Sequence, residues 1–271
     1  MEVAHEFQVN QSALNRIEQA LKLNEFVLYF QPKVNMQQGT IIGAESLIRW
    51  QHPERGLVMP GDFLALIEHH PLAIQIDAWV MNTALAQMSK WHKSGLMWTV
   101  SVNISARTLQ TNDFVGQLKA LLAKYPSVQP EHFELEILET EALHDLTQTS
   151  KVMVACQALG VKFSLDDFGT GYSSLSYLKH LPADILKIDQ SFVRDMLIDA
   201  DDLAIVEGVI GLASSFKRHV IAEGVESIEH GTALSLLKCH FAQGYAIAKP
   251  MPADVFEMWA NNWEAPEEWK I

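Results

Sequence analysis

Val161-Lys162-Phe163-Ser164-Leu165-Asp166-Asp167-Phe168-Gly169-Thr170-Gly171 reads as a buried strand that runs into two adjacent carboxylates and then a glycine-punctuated turn. The run from Val161 to Leu165 has the length and the apolar content of a strand. Asp166 and Asp167 repel each other when both are ionised. Burying two such charges is costly unless a cation compensates. A divalent metal meets that need and points to chemistry on phosphate or another oxyanion. Taken alone, the pair reads more readily as a solvated acidic turn before glycine, so the surrounding chain has to decide.

Working outward, seven more runs have strand character: Phe26–Phe30, Ile41–Glu45, Trp98–Val102, Phe133–Ile137, Ile185–Ile188, Val220–Ala222 and Phe241–Ile247. Helical periodicity fills most of the intervals. Ile76, Val80, Ala84 and Met88 recur every four residues, as do Phe114, Leu118 and Leu122. Ser227 suits the N-cap of a helix over 228–237, and Gly160 suits a residue just past a helix end. Eight strands alternating with helices predict an α/β fold, a (β/α)8 TIM barrel, with a doubly wound open sheet as the competitor. Pro32 to Thr40 is too short for a helical crossover and reads as a turn. The first two strands are therefore expected to be antiparallel, making the barrel irregular.

A polar residue stands at or near the end of each of several apolar strands: Glu45, Asn103, Glu136, Asp166 with Asp167, Lys187, Glu223 and Gln243. In a barrel the C-terminal strand ends meet at one mouth, where catalytic residues are expected. Several acids, an amide and a lysine sharing that mouth would form a hard, oxygen-rich cation site with a cationic partner. Each residue also has a plainer reading. Glu45 can pair with Arg49, which shares its strand face and could instead reach a ligand phosphate. Asn103 can cap the turn before Ser105. Glu136 can face solvent, Lys187 can pair with Asp189 or Asp167, and Glu223 and Gln243 can be turn residues before glycine. Together, the plain readings require many independent coincidences.

Composition narrows the function. The chain has 271 residues, 48% of them hydrophobic, and a formal net charge of -13. That charge opposes a basic groove for polymeric nucleic acid but leaves room for a small anion held through metal ions. Cys156 and Cys239 are the two cysteines, fit a reducing compartment and read as buried thiols. No apolar run is long enough to span a bilayer, since Leu203 to Phe216 is interrupted by Glu207. Residues 1–10 read as an N-terminal tail without a signal core, residues 11–271 as one domain, and the chain as soluble and cytoplasmic. The eleven histidines form no ligand pattern. His69-His70 reads as the solvated or capping end of a helix.

These residues resemble the EAL domain family of cyclic di-GMP-specific phosphodiesterases. The resemblance runs from about Leu14 to Phe256. It rests on Tyr29-Phe30-Gln31-Pro32, Glu45-Ser46-Leu47-Ile48-Arg49-Trp50, Val102-Asn103-Ile104-Ser105, Leu135-Glu136-Ile137-Leu138-Glu139, Asp166 to Leu175, Leu186-Lys187-Ile188-Asp189, Ala222-Glu223-Gly224-Val225-Glu226 and Gln243-Gly244-Tyr245. It implies an irregular TIM barrel with an antiparallel early strand. It also implies two Mg²⁺ or Mn²⁺ ions held by Glu45, Asn103, Glu136, Asp166, Asp167 and Glu223. By the same resemblance, Lys187 lies near the attacking water and phosphate, and Gln243 orients water. Gln31 and Arg49 meet guanine and phosphate. Glu139 organises the loop of Phe168, Gly169, Thr170 and Gly171, which also shapes a homodimer contact.

The implied reaction is hydrolysis of cyclic di-GMP to linear pGpG; Glu45, Lys187, Glu223 and Gln243 are its candidate catalytic residues. The alternatives are a non-catalytic cyclic di-GMP receptor that signals to a partner, and hydrolysis of a different phosphodiester. Three features depart from the family pattern. Ser46 replaces the signature alanine, Leu138 replaces a threonine, and Ala246-Ile247-Ala248-Lys249-Pro250 replaces Leu-Phe-Ser-Arg-Pro. No metal-site position is lost, and no GGDEF motif occurs.

Overall fold

The computed structural model describes residues 2–143, 145–170 and 175–271. Gly171, the last residue of the expected loop, lies outside them. Helix α1 (Glu2–Lys22) leads into β1 (Phe26–Asn35), β2 (Thr40–His52) and the short β3 (Gly56–Val58). Two single turns of 3₁₀ helix precede α2 (Leu72–Lys93). Then follow β4 (Thr99–Asn103), α3 (Ala106–Leu109), α4 (Phe114–Ala123), β5 (Phe133–Leu138), α5 (Glu139–Ala142) and α6 (Leu146–Gln157). The second half comprises β6 (Lys162–Phe168), α7 (Leu175–Leu178), β7 (Ile185–Ile188), α8 (Gln190–Asp195), α9 (Ala200–Ser215), β8 (His219–Ala222), α10 (Ile228–Leu236), β9 (Phe241–Ala242) and α11 (Ala253–Ala260).

The strands close into a barrel. Its order runs β1-β9-β8-β7-β6-β5-β4-β2, and β1 pairs with β2 to complete the ring. From β2 through β4 to β9 the barrel neighbours are parallel, while β1 is antiparallel to both β2 and β9. This is the eight-stranded α/β barrel with an inverted early strand that the sequence predicts. β3 extends β2 as an antiparallel flap outside the ring.

Local chemistry explains the elements. α2 buries Ile76, Val80, Ala84 and Met88, the residues of its four-residue period. α4 buries Phe114 and Leu118. The Ser227 side chain accepts from the His230 amide and caps α10. Gly160 takes φ +96° beyond α6, a conformation open to glycine.

Several expectations are corrected. β1 continues through Pro32 to Asn35, so only the segment before Thr40 turns. Proline is tolerated because the ladder between β1 and β9 begins two residues later, at Val34. The last strand stops at Ala242 rather than Ile247. There the chain turns inward, with Gly244 packed so tightly against Val225 that a Cβ would lie 2.2 Å from its backbone nitrogen. His69-His70 precedes a helix instead of ending one. His70 Nδ1 accepts from the Leu72 amide at the start of α2. Among the described residues no helix is long and apolar enough to cross a membrane.

Candidate metal centre at the barrel mouth

In most barrels of this type the lumen is packed with branched apolar side chains. Here period-two alternation turns polar residues inward. Glu45 pairs in register with Ser101 and with Gln31, and Asn103 pairs with Glu136. Glu45, Glu136, Lys187 and Gln243 are all buried. β6 departs from the regular pattern at its end. Its register with β7 shifts between Leu165 and Phe168, and Asp167 takes a left-handed φ of 52°. Such an irregularity re-aims side chains that would otherwise point to opposite faces. Asp166, Asp167 and Glu223 thereby each offer a carboxylate oxygen within 4.8 Å of one another.

The Lys187 ammonium lies at the centre of the acids. It stands 2.6 Å from Glu136 Oε2, 2.8 Å from Glu223 Oε1, 2.9 Å from Asp166 Oδ1 and 3.5 Å from Glu45 Oε2. Each close opposite pair is worth about 4 kcal/mol at an effective dielectric near 20. The carboxylates repel one another on the same scale, and one ammonium cannot balance four of them. Burial works against the Glu136 charge, but Lys187 and Lys33 outweigh it and hold that carboxyl at about 2. The other acids are not satisfied in this way. Burial, reinforced by the charges of Glu136 and Asp166, raises Glu45. Burial raises Glu223 well above the ordinary carboxylate range despite the attraction of Lys187. Burial, then Asp166 and Asp189, push Asp167 to about 7. The Lys187 ammonium is itself desolvated, yet the surrounding acids raise it well above its usual value.

Hydrogen bonds orient the cluster. Asn103 Nδ2 donates to Glu45 Oε1 at 2.7 Å, and Gln243 Nε2 donates to Glu45 Oε2 at 2.7 Å and to Gln31 Oε1 at 3.0 Å. Gln31 Nε2 in turn donates to the Ala248 carbonyl. Gln243 Oε1 is buried and accepts no hydrogen bond among the described residues, while Asp166 Oδ1 and Glu136 Oε1, equally buried, face the ammonium groups of Lys187 at 2.9 Å and Lys33 at 3.6 Å. An all-oxygen donor set and surplus negative charge fit hard divalent cations. The cluster of Asp166, Asp167 and Glu223 is the part of the predicted ligand set brought closest together. Glu45, Glu136 and Asn103 join it through Lys187 and Glu45.

A cavity of about 220 Å³ opens over this cluster, lined by Gln31, Glu45, Asp166, Glu223, Gln243 and Tyr245 among others. Arg49 does not line it. Its guanidinium donates to the Ile48 carbonyl at 2.9 Å and lies 5.6 Å from the Tyr29 ring centre. Glu139 is buried behind the Asp-Asp turn. It accepts from the Gly169 amide at 2.9 Å and from the Tyr177 hydroxyl. Gly169 takes φ +104°, with Phe192 close to where a Cβ would sit. Thr170 bonds back to the Asp167 carbonyl, and Phe168 is packed in the core.

Some of the site has no counterpart in the sequence reading. A second cavity of about 440 Å³ adjoins Asn103 and Glu136, walled by Leu47, Ile67, Ile76 and Val80. Its remaining wall is built from the segment around Pro60 and Leu64; only the apolar run Phe63 to Ile67 hinted at it. Gln190 and Glu226 line the first cavity. Asp189, earlier considered only as a partner for Lys187, stands beside Asp167 and caps α8 through the Ser191 amide.

Comparison with known proteins shows the family of the chain. The family model described as the EAL domain matches residues 14–250. The bifunctional diguanylate cyclase/cyclic di-GMP phosphodiesterase MucR of Pseudomonas aeruginosa is 40% identical over 242 residues, covering 89% of this chain and 35% of its own length. The cyclic di-GMP phosphodiesterase PdeR of Escherichia coli is 37% identical over 247 residues, covering 90% of this chain and 36% of its own length. The chain thus spans about a third of the length of these relatives. A solved structure described as the PaMucR phosphodiesterase in complex with c-di-GMP superposes with a TM-score of 0.86 at 40% identity, covering 90% of this chain and 99% of that one. With the inverted β1, the mouth of acids around Lys187 and a match over most of its length, the chain belongs to the EAL domain family.

Proposed function

We propose that this domain hydrolyses cyclic di-GMP to linear pGpG in the presence of two Mg²⁺ or Mn²⁺ ions. The observation that carries this reading is the convergence of Glu45, Glu136, Asp166 and Glu223 on Lys187, with Asp167 turned to the same side. Glu45, Asn103, Glu136, Asp166, Asp167 and Glu223 would hold the ions. Bound there, such ions supply Lewis acidity toward the phosphodiester and make water a stronger acid.

The remaining chemistry belongs to the chain. Glu223, whose carboxyl burial raises, lines the mouth and takes a proton from the attacking water. The water oxygen bonds to phosphorus as the bond from phosphorus to the 3′ oxygen breaks. That oxygen leaves as the 3′ hydroxyl, taking a proton from solvent water, and the phosphate stays on the 5′ oxygen of the neighbouring ribose. Lys187 neutralises charge building on the phosphate. Gln243 is anchored through its Nε2, and its Oε1, which accepts no hydrogen bond among the described residues, orients the water.

Gln31 lies at the cavity edge for guanine, and Arg49 is assigned to phosphate only after its side chain swings from the Tyr29 ring. The apolar 440 Å³ cavity gives a nucleobase a place to pack. Glu139 holds the Gly169 amide, and we assign the loop residues Phe168, Gly169, Thr170 and Gly171 to a homodimer contact. The catalytic unit is residues 11–271, and its substrate and buried free thiols suit the cytoplasm. A receptor that binds without cleaving has no use for so complete a set of acids. Incubation with cyclic di-GMP and Mn²⁺ or Mg²⁺, with and without EDTA, followed by chromatography, tests the reading. Metal-dependent pGpG is expected; tight binding without product would select the receptor.

A further inference from the structure

Below the mouth, β1 places a second lysine in the lumen. Lys33 is 1% exposed, and its ammonium lies 2.9 Å from Ser101 Oγ, 3.3 Å from Glu134 Oε2 and 3.6 Å from Glu136 Oε1. Glu136 is therefore gripped from both ends of the barrel. Lys187 takes Oε2 from above at 2.6 Å, and Lys33 faces Oε1 from below. A buried lysine is rare without a partner that requires it. The pair of Lys33 with Glu134 does not account for it, because apolar residues of similar volume are often as stabilising as a buried ion pair.

We propose that Lys33 is a positioning residue that fixes the Glu136 carboxylate from beneath and presents it to the divalent cations. This rests on the reading of Glu136 as part of the metal centre. The Lys33 ammonium cannot reach substrate across Glu136 and acts only through that carboxylate. Held between two fixed ammonium groups, the carboxylate loses the freedom to rotate toward the floor of the barrel. The plainer role for Lys33 is to neutralise Glu134, which shares the inward face of β5 two residues before Glu136 and whose Oε1 accepts no hydrogen bond among the described residues.

The two roles separate in three variants of the full chain. Lys33→Met with Glu134→Gln removes the lower ion pair together, so no lone charge is left beneath Glu136. Glu134→Gln alone keeps Lys33. Lys33→Met alone gives the single loss. MnCl₂ is titrated calorimetrically into chelator-stripped protein, with melting temperature and steady-state turnover of cyclic di-GMP measured alongside. The expected result is Mn²⁺ binding about tenfold weaker in both variants lacking Lys33, the range seen when groups supporting a metal ligand are lost. kcat should fall with it, KM should stay within about twofold, and Glu134→Gln should bind Mn²⁺ like the wild type. A double variant that melts like the wild type and binds Mn²⁺ within about twofold of it would overturn the proposal while leaving the metal centre intact. Wild-type protein that binds no Mn²⁺ would overturn both.

Discussion

Asp166 and Asp167, adjacent in sequence, bring a carboxylate oxygen each within 4.8 Å of the other at the barrel mouth. A regular strand sends successive side chains to opposite faces. The left-handed turn at Asp167 and the broken register with β7 undo that alternation. Aspartate is among the residues that adopt this conformation most readily. The mutual repulsion of the pair is a standing strain that the proposed divalent cations would relieve.

Asp167→Asn keeps the shape and the tolerance for a left-handed backbone but removes the charge. Mn²⁺ affinity and kcat should drop together, by about 10- to 100-fold. Calorimetric titration with steady-state kinetics over a range of Mn²⁺ concentrations checks this. An unchanged metal dependence would remove Asp167 from the centre.

Glu45 accepts from both Asn103 and Gln243, so it links the two sides of the mouth. Glu45→Ala should abolish turnover, leaving the melting temperature within a few degrees of wild type because the lost group is a destabilised charge. Full residual activity would place Glu45 outside the chemistry.

Removing the Lys187 ammonium leaves Glu45, Glu136, Asp166 and Glu223 facing one another without a counter-charge. In EDTA, Lys187→Met should lose about 3–5 kcal/mol of stability in urea melts, as broken buried ion pairs do. Saturating Mn²⁺ should recover much of that loss. With metal present, kcat should suffer more than cyclic di-GMP binding; a pure affinity loss would make Lys187 a ligand clamp instead.

Asp167 also sets a pH dependence. Its carboxyl is raised to about 7 in the native protein, by burial first and then by Asp166 and Asp189. Between the unfolded value near 4 and that value, the native state holds a proton that the unfolded chain has released. The Asp167 contribution to stability therefore declines as pH rises from about 4 to about 7 and stays low above it. In EDTA, Asp167→Asn should gain on the wild type between pH 5 and pH 8. A difference that is flat with pH would contradict the raised carboxyl.

The barrel was legible because strand-length apolar runs alternated with four-residue periodicity, and because the segment before Thr40 was too short for a crossover helix. The gathering of Glu45, Glu136, Asp166, Lys187 and Glu223 was legible for a related reason. A charged residue at an apolar strand end has few places to go except the mouth of a barrel. The left-handed turn at Asp167 was not legible, since it arises from pairing with β7 rather than from local composition. Nor was the early end of the last strand, set by the contact of Gly244 with the Val225 backbone. Arg49 shares the face of Glu45 by period, yet cation–π attraction to Tyr29 holds it away from the cavity. The Pro60 to Val80 wall is mostly apolar, with Glu68 and Asp77 as its acids, and it joins the site through packing.

The most direct measurement is anomalous diffraction at the manganese edge from crystals grown with MnCl₂. The account requires anomalous peaks in contact with oxygens of Asp166, Asp167 and Glu223, with Glu45, Glu136 and Asn103 completing the coordination. Crystals with these side chains ordered and no anomalous peak among them would contradict it.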